Sequence, residues 1–219
     1  MINIYEYLMS KDKHYKNVIF ANDDNIARIV RHEIEKLGPE ANLNHIDVCD
    51  VTNMSRLFSQ PGNDPLDKYR EKLNPDISEW NTSNVKNMSK MFWRCHSFNC
   101  DISGWDVSNV ENMESMFEEC YEFNQPIGNW DVSKVSNMHS MFWLCKKFNA
   151  DISGWDMSNV KDMQSMLAYA SEFDQDLSGW DVRNVEYFKL SPFKSPFVNT
   201  KIDYKSKRSK WPKFNWEEK

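Results

Sequence analysis

Between Trp80 and Trp180 the chain repeats one arrangement of apolar and polar positions four times: WNTSNVKNMSKMFWRCHSFNCDISG, WDVSNVENMESMFEECYEFNQPIGN, WDVSKVSNMHSMFWLCKKFNADISG and WDMSNVKDMQSMLAYASEFDQDLSG. Trp80, Trp105, Trp130, Trp155 and Trp180 stand 25 residues apart without a gap. Self-similarity at a fixed period of roughly 20–50 residues marks units that stack into a solenoid or array. Two spacings alternate inside one unit. Ile102-x-x-Trp105-x-Val107 has the inward spacing of a short strand, with Asp106 pointing out between its neighbours. Val110, Met113, Met116 and Phe117 then follow at i, i+3, i+6, i+7, with Cys120 next on the same face, which predicts a short helix. Ser108 begins that helix and forms a capping box with Glu111. Ser83, Ser133 and Ser158 keep the serine in the other units. The predicted fold class is an α/β solenoid, leucine-rich-repeat-like, with one short parallel strand and one short helix per 25-residue coil.

The same pattern sets the domain boundaries. Residues 1–42 read as an N-terminal cap, with a short strand near 16–22 and a helix over about 23–37. Asp23 or Asp24 caps the helix, Ile26, Val30, Ile34 and Leu37 line one face, and Gly38-Pro39 stops it. End units need such a lid, because an open coil exposes a cross-section of core. Residues 43–190 form the repeat solenoid. Its first coil is irregular: Leu43-x-x-Ile46-x-Val48 matches Ile102-x-x-Trp105-x-Val107, and Val51, Met54, Leu57 and Phe58 match Val85, Met88, Met91 and Phe92. An insertion of about nine residues falls within about 59–73 and maps to a surface loop, a common place for a binding face. Regular coils run from Trp80. Phe188 holds a methionine slot, and Ser191-Pro192 replace the next Met-Phe pair. Residues 191–219 read as a C-terminal cap built on Phe193 and Phe197, followed by a basic, aromatic tail.

Stacking turns repeat positions into columns. The tryptophans, the Met88 and Met91 columns and Phe98/Phe123/Phe148/Phe173 are core columns. Cys95, Cys120 and Cys145 recur in one slot that Ala170 also fills, so they are expected to be reduced, buried thiols rather than ligands or bridges. Asn99, Asn124, Asn149 and Asp174 form a polar column expected to bond to neighbouring backbone. Asp106, Asp131, Asp156 and Asp181 form an acidic column, with Asp47 and Asn81 before it and Asp101, Asp151 and Asp176 nearby. Like charges opposite one another on adjacent strands repel. Two readings stand open: each Asp accepts N–H bonds from the Ser-Asn turn two residues on, or the row receives a basic partner or cations. Trp93 and Trp143 occupy a slot that holds Glu118 and Ala168 in other coils, so core packing does not demand tryptophan there. With His96 and Tyr121, beside Arg94, Lys146 and Tyr169, they are the candidate binding patch.

The run F-N-x-D-I-S-x-W-D-V-S-N-V-x-N-M-x-x-M-F-x-x-C resembles the 25-residue repeat of the BspA-like leucine-rich repeat proteins, also catalogued as the DUF285 or mycoplasma-lipoprotein-type repeat. The segment EIEKLGPEANLNHIDVCDVTNMSRLF resembles the stretch that leads into those repeats. The likeness covers about residues 26–185. It implies a repeat solenoid, and a bacterial protein of a family whose members include surface proteins implicated in adhesion and host contact. It carries no catalytic residues.

Charge narrows the partner. Residues 46–190 hold 13 Lys/Arg against 23 Asp/Glu, whereas residues 191–219 hold 8 against 3. An acidic body argues against nucleic acid as its partner, and the basic tail is suited to contact an acidic surface. No Ser/His/Asp or Cys/His triad, glycine-rich phosphate loop or zinc spacing occurs, so no enzyme, no cofactor and no metal are expected. The start lacks the apolar run of a signal peptide and no stretch is suited to span a membrane, which as the sequence stands predicts a cytoplasmic protein, or a surface or secreted one had a leader been removed. The leading expectation is a non-enzymatic module that binds a protein partner through its strand face, helix edge or inserted loop. The alternatives are an acidic inhibitor that mimics nucleic-acid phosphates and a bacterial adhesin lacking its leader.

Overall fold

The computed structural model describes residues 18–59, 65–186, 197–202 and 209–213. The expectations for residues 1–17, for 60–64 of the insertion, for Phe188, Ser191, Pro192 and Phe193, and for most of the basic tail lie outside the described residues.

The chain opens with a small parallel unit. Strand β1 (Ile19–Asn22) and strand β2 (Ile46–Asp50) pair in parallel, joined by helix α1 (Ile26–Leu37). The helix is amphipathic: Ile26, Val30 and Ile34 are buried, while Leu37, expected on the same face, is exposed. Gly38 ends it at φ 99°, a left-handed conformation that costs glycine nothing. The expected aspartate cap does not form. Asn25 is the N-cap, without a side-chain bond to the helix. Asp23 instead reaches across to the first coil, accepting from Thr52 N, Thr52 Oγ1 and Asn53 N at 2.8, 2.6 and 2.9 Å.

That contact makes sense in the ladder above it. Lys86 N donates to Thr52 O, Glu111 N to Lys86 O, Ser136 N to Glu111 O, Lys161 N to Ser136 O and Glu186 N to Lys161 O, each at 2.8–2.9 Å. At this position each coil hangs an N–H on the coil before it, and Thr52 has no coil before it. Asp23 supplies the missing acceptor. Burial pushes the Asp23 carboxyl up, but the Thr52 and Asn53 donors outweigh it and hold it below the usual carboxylate range.

The expected short helix of each coil is not formed. Among the described residues, 88–95 and their counterparts are a run of tight turns. Met91 N bonds Met88 O, Trp93 N bonds Lys90 O and Cys95 N bonds Phe92 O. The intervening amides leave the coil: Met88, Lys90, Phe92 and Arg94 donate to Asn112, Glu114, Met116 and Glu118 of the next coil. A helix would use all these groups internally and leave nothing to join the coils. Lys90 and Arg94 take φ of 59° and 64°, and Ser115/Glu119, Ser140/Leu144 and Ser165/Tyr169 repeat the pair. Positive φ at the third residue is the mark of a type II turn. The Ser108–Glu111 capping box is absent for the same reason: Ser108 N goes to Asp106 and Glu111 N to the coil below. The expected strand is likewise a pair of turns, Trp105 N to Ile102 O and Val110 N to Val107 O. Coil-to-coil parallel pairing survives as single bridges at Asn53, Asn87, Asn112, Asn137 and Asp162.

The core columns form as expected. Phe98, Phe123, Phe148 and Phe173 stack at 6.0, 6.0 and 5.8 Å. Trp105, Trp130, Trp155 and Trp180 each donate Nε1–H to the carbonyl of Ile77, Ile102, Ile127 and Ile152 in the previous coil, at 3.1–3.2 Å. A buried indole N–H needs such a partner, which explains why this slot keeps tryptophan rather than phenylalanine. The insertion is fastened rather than free over its described part: Pro65–Tyr69 is a 3-10 turn, and Leu66 and Leu73 are buried. At the far end, Tyr169 N donates to Val198 O and Leu177 N to Lys210 O, and Phe197 is buried against Trp211.

Candidate functional site: an aspartate ridge and an aromatic edge

The aspartate column is exposed at Asp106, Asp131 and Asp156 and half-buried at Asp181, and its geometry is that of a repeated turn. Asp106, Asp131, Asp156 and Asp181 each accept the N–H of the residue two places on, Ser108, Ser133, Ser158 and Arg183, at 2.9, 3.0, 2.9 and 3.2 Å. A second row does the same: Asp76, Asp101, Asp151 and Asp176 take the N–H of Ser78, Ser103, Ser153 and Ser178. Hydrogen bonds from Ser103, Ser133 and Ser153 hold Asp101, Asp131 and Asp151 below the usual carboxylate range. The Arg183 side chain pulls Asp181 down to about 2. The second row is broken once, where Pro126-Ile127-Gly128 replaces Asp-Ile-Ser.

Two residues before the second row runs the asparagine column. Asn99 N bonds Asn74 Oδ1, Asn124 N bonds Asn99 Oδ1, Asn149 N bonds Asn124 Oδ1 and Asp174 N bonds Asn149 Oδ1, all at 2.8–2.9 Å. This is the expected side-chain-to-backbone ladder, half-buried rather than buried at Asn99 and Asn149.

The aromatic candidates occupy a different edge, around the last turn before the cysteine slot. Trp93 and Trp143 are half-buried and two coils apart. Trp93 donates Nε1–H to Glu118 Oε1 at 3.1 Å, and the Arg94 and Arg56 guanidinium groups lie 5.3 and 5.9 Å from its ring centroid. Trp143 meets Tyr169 edge-on at 6.0 Å. His96 stacks on Tyr121 at 4.5 Å, and Lys146 Nζ sits 4.2 Å from the Tyr121 centroid. His96 Nδ1 is 2.7 Å from Glu71 Oε1, and Arg94 Nε is 3.3 Å from Glu119 Oε1. The structure thus brings Trp93, Trp143, His96 and Tyr121 to one edge and keeps Asp106, Asp131, Asp156 and Asp181 in a separate row. Sequence reasoning missed Glu71, Arg56, Glu118 and Glu119 as members of the aromatic edge. Arg56 was visible as the counterpart of Lys90 across the insertion; Glu71 has no counterpart in the repeat.

The sequence matches the profile of the family described as Mycoplasma protein of unknown function, DUF285, over residues 30–142 and 124–202. The chain belongs to this family. Comparison with curated proteins and with solved structures gives no match. The DUF285 description assigns no activity, so chemistry has to be read from the residues.

That chemistry is quiet where a reactive site was conceivable. Cys120 and Cys145 are buried, and burial pushes both thiols well up. Their Sγ atoms lie 3.1 and 2.8 Å from the Phe92 and Phe117 carbonyl oxygens of the previous coil, a second coil-to-coil ladder beside that of the tryptophans. Burial and the Asp47 hydrogen bond push Cys49 to about 11. Among the described residues no group of three His, Cys, Asp or Glu side chains is placed to hold a metal. Among the described residues no helix is long and apolar enough to cross a membrane.

Proposed function

We propose that this DUF285 chain is a non-enzymatic protein-interaction module, built as a leucine-rich-repeat-like solenoid, that holds a protein partner through its aromatic edge. The observation carrying this reading is the slot of Trp93 and Trp143. The turns there are satisfied by backbone alone, and Glu118 and Ala168 fill the same place in other coils. Tryptophan beside arginine and tyrosine at a half-buried surface is the composition of a binding hot spot. The test exchanges residues within the slot: Trp93→Glu and Trp143→Ala. Wild-type and doubly substituted protein are immobilised and used for capture from the native cell, with mass spectrometry as readout. The expected result is a protein enriched by the wild type and lost by the variant. Identical capture by both removes the aromatic edge from the function.

A second reading has its own observation, the two rows of exposed aspartates, which favours an acidic decoy for a nucleic-acid-binding protein. Its row through Asp106, Asp131, Asp156 and Asp181 is continuous, but the other is interrupted at Pro126, which weakens it against the first.

A further inference from the structure

The break at Pro126 has a chemical counterpart in the asparagine column. At Asn99 the main-chain carbonyl and Oδ1 both accept from Gln125 Nε2, at 2.7 and 2.9 Å. At Asn149 the same two acceptors take Gln175 Nε2, at 2.9 and 3.0 Å. At Asp174 they take a lysine: Lys210 Nζ lies 2.6 Å from Asp174 O and 3.0 Å from Asp174 Oδ1. At Asn124 the residue one coil above is Ala150, which has no donor to offer. Oδ1 there keeps only the Asn149 N–H at 2.8 Å, and among the described residues no hydrogen bond reaches the Asn124 carbonyl. Asn74 also lacks the glutamine, and the residue one coil above it is the half-buried Cys100.

Over Asn124 the surface is open. A cleft of about 510 Å³ is lined by Asn124, Asn149, Ala150, Asp151, Pro126 and Gly128, among others. Gly128 packs closely against the next coil: a Cβ there would collide with the Asp151 carbonyl oxygen, so the serine of the other coils does not fit. The cleft therefore combines the main-chain carbonyl and Oδ1 of Asn124 with a neighbouring carboxylate at Asp151.

We infer that this cleft is a socket for a lysine or arginine side chain on an extended segment of a protein partner. The chain's own C-terminal segment shows the mode. Lys210 places its ammonium on the Asp174 acceptor pair while its main-chain carbonyl accepts Leu177 N–H at 2.8 Å, the equivalent edge two coils further on. A cationic donor satisfies the acceptors that Ala150 leaves, and the Asp151 carboxylate in the lining favours its charge. The socket is lined by residues other than those of the aromatic edge, so either can fail alone.

The probe is a fluorescent peptide carrying the sequence of residues 209–213, Ser-Lys-Trp-Pro-Lys, titrated against the full chain and followed by anisotropy. Ala150→Gln copies Gln125 and Gln175, and supplies the missing donor from within. It is expected to keep or raise the melting temperature and to weaken the peptide by at least about tenfold, the loss of a charge-assisted bond pair. Asp151→Asn is expected to weaken binding and flatten its salt dependence. Undiminished binding by a folded Ala150→Gln protein overturns the inference. So does binding lost on Asp174→Asn but not on Ala150→Gln, which places the peptide at the chain's own terminal site, and so does a wild type that does not bind.

Discussion

The aspartate ridge and the aromatic edge are two exposed surfaces of the same coils, and they use the sequence in opposite ways. Along the ridge nearly every coil spells Asp-x-Ser or Asp-x-Arg, because every coil has the same N–H to satisfy and no other group near it. Along the aromatic edge the turns close without side chains, Trp93 N on Lys90 O and Arg94 N on Glu118 O, and the residues differ from coil to coil. Regularity at an exposed slot reports what the turn requires. Irregularity reports a slot the fold leaves open, where something beyond the coil selects the residue.

The contrast breaks most visibly in stability. Replacing Asp106, Asp131 and Asp156 together by alanine removes three turn acceptors, at about 1 kcal/mol each, and is expected to cost about 3 kcal/mol in urea denaturation. The aromatic exchange, Trp93→Glu with Trp143→Ala, is expected to cost no more than about 1 kcal/mol, since both residues already occur in that slot. If the aromatic exchange proved the more damaging of the two, the edge would be structural and the contrast wrong.

Acid acts on the ridge. Asp101, Asp131, Asp151 and Asp181 have folded pKa values held below their unfolded ones, Asp181 at about 2. A depressed folded pKa gives stability that is fully present above the unfolded value and is lost as pH falls through the folded one. The melting temperature is therefore expected to fall from about pH 4 toward about pH 2 from this source. A protein with Asp101, Asp131 and Asp151 changed to asparagine should lose less over that window, measured by the same melts at matched salt. An identical acid profile would remove these carboxylates from the account.

How much of this was readable follows the same division. Each core column was legible, because burial fixes Trp105, Phe123 and Cys120 by volume and the period carries them. So was the Asx pairing of Asp106 with the turn two residues on. The helix expected over Ser108 to Phe117 was not there, because i, i+3, i+6, i+7 spacing also arises when every second amide leaves for the next coil. What would have distinguished them is glycine at the positive-φ slots, and the chain puts Lys90, Arg94, Ser115 and Glu119 there instead. Asp23 or Asp24 reads as a helix cap, the commonest local role; the bond of Asp23 to Thr52 lies 29 residues away and needs the stack to exist. Pro126, Gly128 and Ala150 were visible as departures, but only stacking sets them around one acceptor pair.

Those positive-φ turns give a smaller prediction. Ser165 sits at φ 55° with no side-chain hydrogen bond among the described residues. A left-handed residue other than glycine costs roughly 1–2 kcal/mol, and glycine gives back roughly 0.5–1 through the unfolded chain. Ser165→Gly is thus expected to raise stability by about 0.5–1 kcal/mol, and Ser165→Val to lower it. A glycine variant less stable than the wild type would mean that this segment is not a run of type II turns.

The smallest effect is also the one that separates charge from hydrogen bonding on the ridge. Asp106→Asn, Asp131→Asn and Asp156→Asn together keep the Oδ1 acceptor of each turn and remove three like charges from one row. The alanine triple loses both. Repulsion between exposed carboxylates is worth a few tenths of a kcal/mol per pair, so the asparagine triple is expected to match the wild type or exceed it by that amount. Salt supplies an internal control. With a Debye length near 8 Å at about 0.15 M, screening should raise the wild-type melting temperature toward that of the asparagine triple and leave the triple almost unmoved. If the asparagine triple instead fell as far as the alanine triple, the carboxylate charge itself would be what holds the turn, and the ridge would be regular for an electrostatic reason rather than a geometric one.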